Sequence, residues 1–325
     1  MCYAKRRELK FNIQYIYVSF VSGSQNHILS KIRGVNLYVR SFRNFPIAFL
    51  KRMFHLYPIL VKLRKQNLAI KVENSNQFYM AGYFGGFEPY TGDSMSINFL
   101  KTEKAFIVTG KSGRTVTIRH VFDDGDFPGV FYTEEYIDIN VEGKTVIDVG
   151  CSIGDSPLYF YLFGARKIYA YEPTKYAFNY AMENVVINKL EDVIIVKNSA
   201  VGIKNSKILI DNSRRITGGS ALKYDPHGSE VEIVSFMDIV KQVNEKDLVL
   251  KMDCEGCEYD IFSSIQPIDM VNFSQVVLEY HDGPELLMEF LSKAGFRTEL
   301  KGKEDKLGII VAIKTLHNKK NENTA

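Results

Sequence analysis

No stretch of this 325-residue chain reaches the roughly 18 apolar residues that a membrane-spanning helix needs. Its four cysteines are too few for the disulfide framework of a small secreted fold. Two of them form Cys254-x-x-Cys257, which is half of a zinc or redox pattern. A structural zinc site wants two more ligands, and neither a second C-x-x-C nor a C-x-x-H is present. A metal or redox role for that pair is therefore set aside. Internal repeats are absent. Residues 5–22 open with Lys5-Arg6-Arg7 and turn apolar from Phe11 to Val21, as a signal peptide does. Asn12 and Gln14 interrupt the apolar core, however, and no A-x-A-like cleavage site follows. The stretch reads as a strand or a loosely attached arm, and the protein as cytoplasmic.

Acids are scarce at the start. Residues 1–75 hold fourteen Lys/Arg against Glu8 and Glu73 alone, a balance of +12, while the remainder stands at −9. Such asymmetry points to an anionic partner for residues 1–75: a membrane surface, a nucleic acid or a phosphorylated carrier. Between Pro46 and Gln66, Ile47, Leu50, Phe54, Tyr57, Val61 and Leu63 fall near helical spacing, with Lys51, Arg52, Lys62, Arg64 and Lys65 among them. The expectation is a helix kinked or restarted at Pro58, packed on the main domain with a solvated basic face. The alternative is a helix lying on a membrane surface.

Missing too is the G-x-G-x-x-G turn of a dinucleotide site. In its place stands Thr145-Val146-Ile147-Asp148-Val149-Gly150-Cys151-Ser152-Ile153-Gly154-Asp155. Unbroken apolarity before the glycines marks a strand buried on both faces of a parallel sheet. Pro157 suits the first turn of the helix that follows, with Asp155 or Ser156 as N-cap. A glycine turn between a strand and a helix N-terminus holds a ligand through backbone N–H groups. With an acid two residues before the first glycine, it suits an ammonium and a carboxylate, as S-adenosylmethionine carries. The next strand, Lys167 to Tyr171, ends in Glu172, placed as an acid that accepts from both hydroxyls of a ribose.

Later segments keep alternating strand and helix. Asp192–Val201 reads as a third strand, with Ser199 near its end positioned for an adenine edge. Lys207–Ile210 and Val231–Val234 are short strands around a loop that carries Arg214 and Arg215, read as solvated. Asp247–Asp253 is a fourth core strand on which Lys251 and Asp253, two apart, share a side. Charges in a buried strand cost several kcal/mol unless paired, so they mark a site. A fifth strand, Gln275–Glu279, leads to His281, and Phe296–Leu300 with Gly308–Lys314 make a closing hairpin. Upstream, Ala105–Thr109 and Thr115–His120 form a hairpin, Tyr79–Asn98 is a glycine- and aromatic-rich loop, and Asp123–Asp126 is an acidic turn.

Taken together, Val146–Asp155, Tyr171-Glu172-Pro173, Asn184, Asn188, Ala200-Val201-Gly202, Lys251–Glu258 and Glu279-Tyr280-His281 resemble the FkbM-type methyltransferases from about Thr115 to Phe296. Cys151, Cys254 and Cys257 depart from the residues usual there, which favours packing roles for all three. The resemblance implies a Rossmann-like class I methyltransferase: an α/β fold with a seven-stranded, mostly parallel sheet, helices on both faces and an antiparallel last strand. It also implies an S-adenosylmethionine-dependent O-methyltransferase acting on a small molecule, sugar or glycan. Carried over, Asp148, Gly150, Gly154 and Asp155 hold the methionine part, Glu172 the ribose, and Ser199 flanks the adenine. Asp253, Glu279 and His281 receive the acceptor, with Lys251 orienting Asp253. Either His281 is the general base, or the three bind a divalent cation that acidifies the acceptor hydroxyl.

The expected layout is a basic, partly helical extension at 1–75, a lead-in at 76–143, the cofactor-binding domain at 144–314 and a disordered tail at 315–325. Two other functions remain open: an RNA ribose methyltransferase, or a non-catalytic membrane-surface module. The sequence Asp253-Cys254-Glu255-Gly256 lacks the Asn/Asp-Pro-Pro-Tyr/Phe of enzymes that methylate base amines, which argues against a nucleic-acid substrate of that kind.

Overall fold

The computed structural model describes residues 38–64, 69–73, 75, 77–78, 81–82, 90–100, 103–121, 126–210, 224–301 and 306–315. The arm at 5–22, most of the acidic turn, and Arg214 and Arg215 lie outside these residues. The chain forms two compact units, Met1–Glu135 and Tyr136–Ala325.

In the first unit, helix α1 spans Phe45–Met53 with Pro46 in its first turn. It stops well short of the Gln66 that apolar spacing suggested. The chain past Pro58 is instead a hairpin, β1 (Ile59–Lys62) and β2 (Ala69–Val72), paired antiparallel. Helical and strand readings compete over so short a run. Here the alternation of Ile59 and Val61, both fully buried, outweighs the 3.6-residue pattern. Asn44 fastens helix to hairpin, accepting from Lys62 N (2.8 Å) and donating to Leu60 O (2.7 Å). An antiparallel meander follows: β3 (Tyr90–Thr91), β4 (Met95–Leu100), β5 (Ala105–Gly110) and β6 (Thr115–Ile118), the last two being the expected hairpin. Among the described residues no helix is long and apolar enough to cross a membrane.

The second unit is built on strands most of which read as apolar runs. These are β7 (Thr145–Val149), β8 (Lys167–Tyr171), β9 (Ile194–Lys197), β13 (Leu248–Met252), β14 (Phe273–Tyr280), β15 (Phe296–Lys301) and β16 (Gly308–Lys314). Between β9 and β13 lie β10 (Ser199–Gly202), β11 (Ser206–Ile210) and β12 (Ser229–Ser235), which make a separate three-stranded sheet. The third strand expected at 192–201 is therefore two strands in two sheets, broken at Asn198. That side chain donates to Glu172 O and Pro173 O instead of extending the ladder.

The seven-stranded sheet has the order β15-β16-β14-β13-β7-β8-β9, parallel except for β16, which runs antiparallel to both neighbours. This is the Rossmann-like, seven-stranded and mostly parallel sheet that the resemblance implies. Helices α2 (Asp155–Leu162) and α3 (Lys175–Ile187) follow β7 and β8; α4 (Phe236–Val243), α5 (Cys257–Ser264) and α6 (Glu285–Lys293) come later. The expected strand-helix alternation omits α4. From β7 the order runs one way through β8 and β9, and from β13 the other way through β14. Right-handed crossovers then put their helices on opposite faces, with the switch point between β7 and β13. Open sheets of this kind bind ligands beyond the carboxyl ends at that point.

Candidate active site

The carboxyl ends of β7 and β13 touch. Asp253 N donates to Val149 O (3.0 Å), and a Cβ on Gly150 would lie 1.8 Å from Asp253 O. Gly150 has φ +81°, so neither its backbone nor its surroundings admit a side chain. Gly150 N and Cys151 N both donate to Tyr171 O, and Asn184 on α3 donates to Ile153 O (2.9 Å), which fixes the turn from below. Gly154 (φ +87°) packs against Ala181, and Asp155 begins α2 almost buried. Glu172 accepts from Ser152 N (3.0 Å) and from the N–H and hydroxyl of Thr174. One carboxylate thus joins the glycine turn to the end of β8.

Asp148 lies deeper than a ligand-facing acid. It is fully buried, accepts from Ser156 Oγ (2.7 Å), and lies 3.3 Å from Lys251 Nζ on the neighbouring strand. Lys251 also donates to Gly150 O (2.5 Å) and stands 3.9 Å from Asp253. Burial works against the Lys251 charge, but Asp148, Asp253 and Asp155 outweigh it and hold the ammonium above its ordinary range. Burial pushes the Asp148 carboxyl upward while Lys251 and Ser156 oppose it. The pair is read as ammonium and carboxylate because Lys251 answers several acids at once. Lys251 therefore sits between Asp148 and Asp253 rather than serving Asp253 alone. Ser199 Oγ is buried without a hydrogen-bond partner among the described residues.

The structure brings together the three residues expected to receive the acceptor. Asp253, Glu279 and His281 each offer a ligand atom within 4.8 Å of the others, and Lys251, Asp253 and Glu279 line one small pocket with Ile309. Two further acids, not singled out from the sequence, complete the cluster. His281 Nδ1 donates to Glu258 Oε1 (2.9 Å), and Nε2 lies 3.3 Å from Glu255 Oε2 and 4.0 Å from both Asp253 and Glu279. The signal was present in Glu255-Gly256-Cys257-Glu258, where the second acid falls in the first turn of α5 and is fully buried. Burial disfavours a charged imidazole, yet Glu258, Glu255 and Glu279 prevail and push its pKa up to about 9. At neutral pH the ring carries its proton, unlike a histidine of ordinary pKa.

Packing roles expected for the cysteines hold only for Cys151, which is buried and free. Cys254 and Cys257 are joined in a disulfide. The end of β13 and the start of α5 bring the two within bonding range, a proximity that the count of four cysteines could not reveal.

Residues 148–298 match the family model described as the methyltransferase FkbM domain. A stretch of 54 residues is 46% identical to the ribosomal protein L11 methyltransferase of Carboxydothermus hydrogenoformans, covering 17% of this chain and 18% of that protein. The FkbM methyltransferase of Methylobacillus flagellatus KT is 13% identical, with a TM-score of 0.41 over 58% of this chain and 48% of its own. TrmK of M. capricolum, solved with S-adenosyl-homocysteine, is 12% identical with a TM-score of 0.37, over 60% of this chain and 71% of its own. The chain thus matches less than a fifth of the curated relative and about half of the FkbM structure. From the acid ahead of the glycine turn to the first strand of the closing hairpin, the chain is similar to the methyltransferase FkbM domain.

Proposed function

We propose that this protein is an S-adenosylmethionine-dependent O-methyltransferase whose acceptor is a hydroxyl of a small molecule, sugar or glycan. The observation that carries the reading is the junction of Gly150 with Asp253. It sets the expected cofactor turn directly against the Asp253–Glu279–His281 cluster, as transfer between two ligands requires. S-adenosylmethionine supplies an electrophilic methyl group on a sulfonium sulfur.

The residues present fit that cofactor. The turn from Gly150 to Asp155 receives the methionine part, supported from beneath by Asp148 through Ser156. Glu172, its orientation fixed by Ser152 and Thr174, receives the ribose hydroxyls, and the unpartnered Ser199 hydroxyl offers the adenine a polar contact. Asp253 and Glu279 hold the acceptor hydroxyl. At neutral pH they are the available proton acceptors, because His281 is already protonated; its Nε2 joins them only as pH approaches 9. A divalent cation held by Asp253, Glu279 and His281 is the alternative means of acidifying the hydroxyl.

Calorimetry tests the first half. S-adenosylhomocysteine is expected to bind and NAD not to, and Glu172→Ala should weaken binding by about 1.5–3 kcal/mol. Heat with NAD, or none with S-adenosylhomocysteine, overturns the reading. Transfer of labelled methyl to lysate fractions tests the second half; label in RNA ribose would replace the hydroxylated small molecule as acceptor. Chelator should abolish transfer only if a cation takes part.

One observation favours work at an anionic surface. Ile47, Leu50 and Met53 on α1, then Phe54, Leu56 and Leu60, are each at least half exposed, with Arg40, Arg43, Lys51, Lys62 and Arg64 exposed around them. Large apolar side chains interleaved with bases suit peripheral binding to anionic lipid.

A further inference from the structure

Methyl transfer makes no use of the Cys254–Cys257 disulfide, although the bond lies inside the acceptor cluster. Cys254 follows Asp253 directly, and Cys257 is the first residue of α5. The bond closes a four-residue loop in which Glu255 (φ +59°) and Gly256 (φ +119°) are both left-handed. That loop carries Glu255 to His281 Nε2 at 3.3 Å and leads into Glu258, which holds Nδ1 at 2.9 Å. Cys254 Sγ lies 3.2 Å from the other oxygen of Glu258. A disulfide sulfur has no proton to donate, so this approach is a plain contact until the bond is cut. Both cysteines are partly exposed, within reach of a small reductant.

We propose that Cys254 and Cys257 are a thiol–disulfide exchange site whose redox state sets how Glu255 and Glu258 are presented to His281. This rests on the reading in which that cluster receives the methyl acceptor. The co-reactant is a dithiol. One of its thiolates attacks Cys254 Sγ, forming a mixed disulfide and releasing Cys257 as thiolate, which the N-terminus of α5 stabilises as a leaving group. The second thiolate of the reductant then attacks its own bound sulfur and releases Cys254. The reductant departs as a cyclic disulfide, having given up two electrons and two protons, and the protein holds two thiols. Cys254 S–H can then donate to Glu258 Oε2, in competition with the Gly256 N–H that occupies that oxygen at 3.0 Å. The loop, no longer closed by the bond, is free to withdraw Glu255.

The tryptic peptide Met252–Lys293 contains both cysteines and His281. After equilibration of the intact protein with oxidised dithiothreitol, this peptide should take up no iodoacetamide; after reduced dithiothreitol it should take up two equivalents. The His281 ring resonances, assigned by their loss in His281→Gln, should differ between the two states. S-adenosylhomocysteine affinity should change by less than about twofold. The Cys254→Ser/Cys257→Ser protein should show the reduced-state resonances and ignore dithiothreitol. Alkylation of the oxidised protein at this peptide, or His281 resonances identical in both states, overturns the proposal; the wild-type comparison decides this even if the double variant does not fold. Coupling between the cysteines and His281 without S-adenosylhomocysteine binding would support the exchange site and overturn the cofactor reading instead.

Discussion

Lys251 has almost no exposure and answers acids on two strands, so its loss should be felt first in stability. Lys251→Met leaves the fully buried Asp148 without its counter-charge, at an expected cost of about 3–5 kcal/mol. Adding Asp148→Asn should recover much of that, because an amide needs no cation; urea midpoints of the single and double variants measure both effects. An unchanged midpoint in Lys251→Met would mean that the pair is not a structural ion pair. His281 gives a prediction in pH. Its folded pKa of about 9 stands above the ordinary value of 6.5, so its contribution is full below about pH 6.5 and fades as pH rises through 9. Allowing for solvent screening of a half-buried ring, the contribution is on the order of 1–2 kcal/mol. Wild type in chelator should lose this much between pH 6.5 and 9.5 while His281→Gln does not. Parallel pH–stability curves would contradict the assignment.

Among the elements, the junction of β7 with β13 is the most sensitive. Gly150→Ala places a methyl group inside contact distance of Asp253 O and demands a left-handed alanine. The strand ends must separate, so destabilisation of more than about 2 kcal/mol is expected. Loss of most S-adenosylhomocysteine affinity should accompany it, read by thermal melts and calorimetry. A stable, fully binding Gly150→Ala protein would show that the turn does not need this contact. The same scale explains one misreading of the sequence. Val61 belongs to an apolar series that fits a helix, and with Ile59 it fits a strand about equally well. The antiparallel partners in β2, distant from the pattern being read, decide between them.

The whole molecule divides its chemistry between its two units. Every residue assigned to cofactor and acceptor lies in 136–325, and the exposed apolar and basic patch lies in 38–64. A fragment beginning at Tyr136 is therefore expected to keep S-adenosylhomocysteine affinity within about threefold. The intact protein should pellet with anionic vesicles in a salt-dependent manner, and the fragment should not. Equal pelleting of both, or salt-independent pelleting of the intact chain, would remove the membrane reading.

The sequence by itself determined most of the strands, the glycine turn and the acids at the strand ends. Unbroken apolar runs, glycines between strand and helix, and charges in buried strands are local signals, each forced by backbone geometry or desolvation. That Asp253, Glu279 and His281 share one edge was implied by the resemblance to FkbM-type methyltransferases, and the parallel pairing of β13 with β14 brings the three together. Only the tertiary structure decided how deep each group lies and what it faces. Asp148 reads as a ligand-facing acid and is buried against Lys251. His281 reads as a near-neutral base and is held protonated by Glu255, Glu258 and Glu279. Cys254 and Cys257 read as packing residues and are bonded to each other. Protonation and bond formation depend on distances of a few ångströms between side chains, and those distances are set by how strands and helices pack rather than by spacing along the chain.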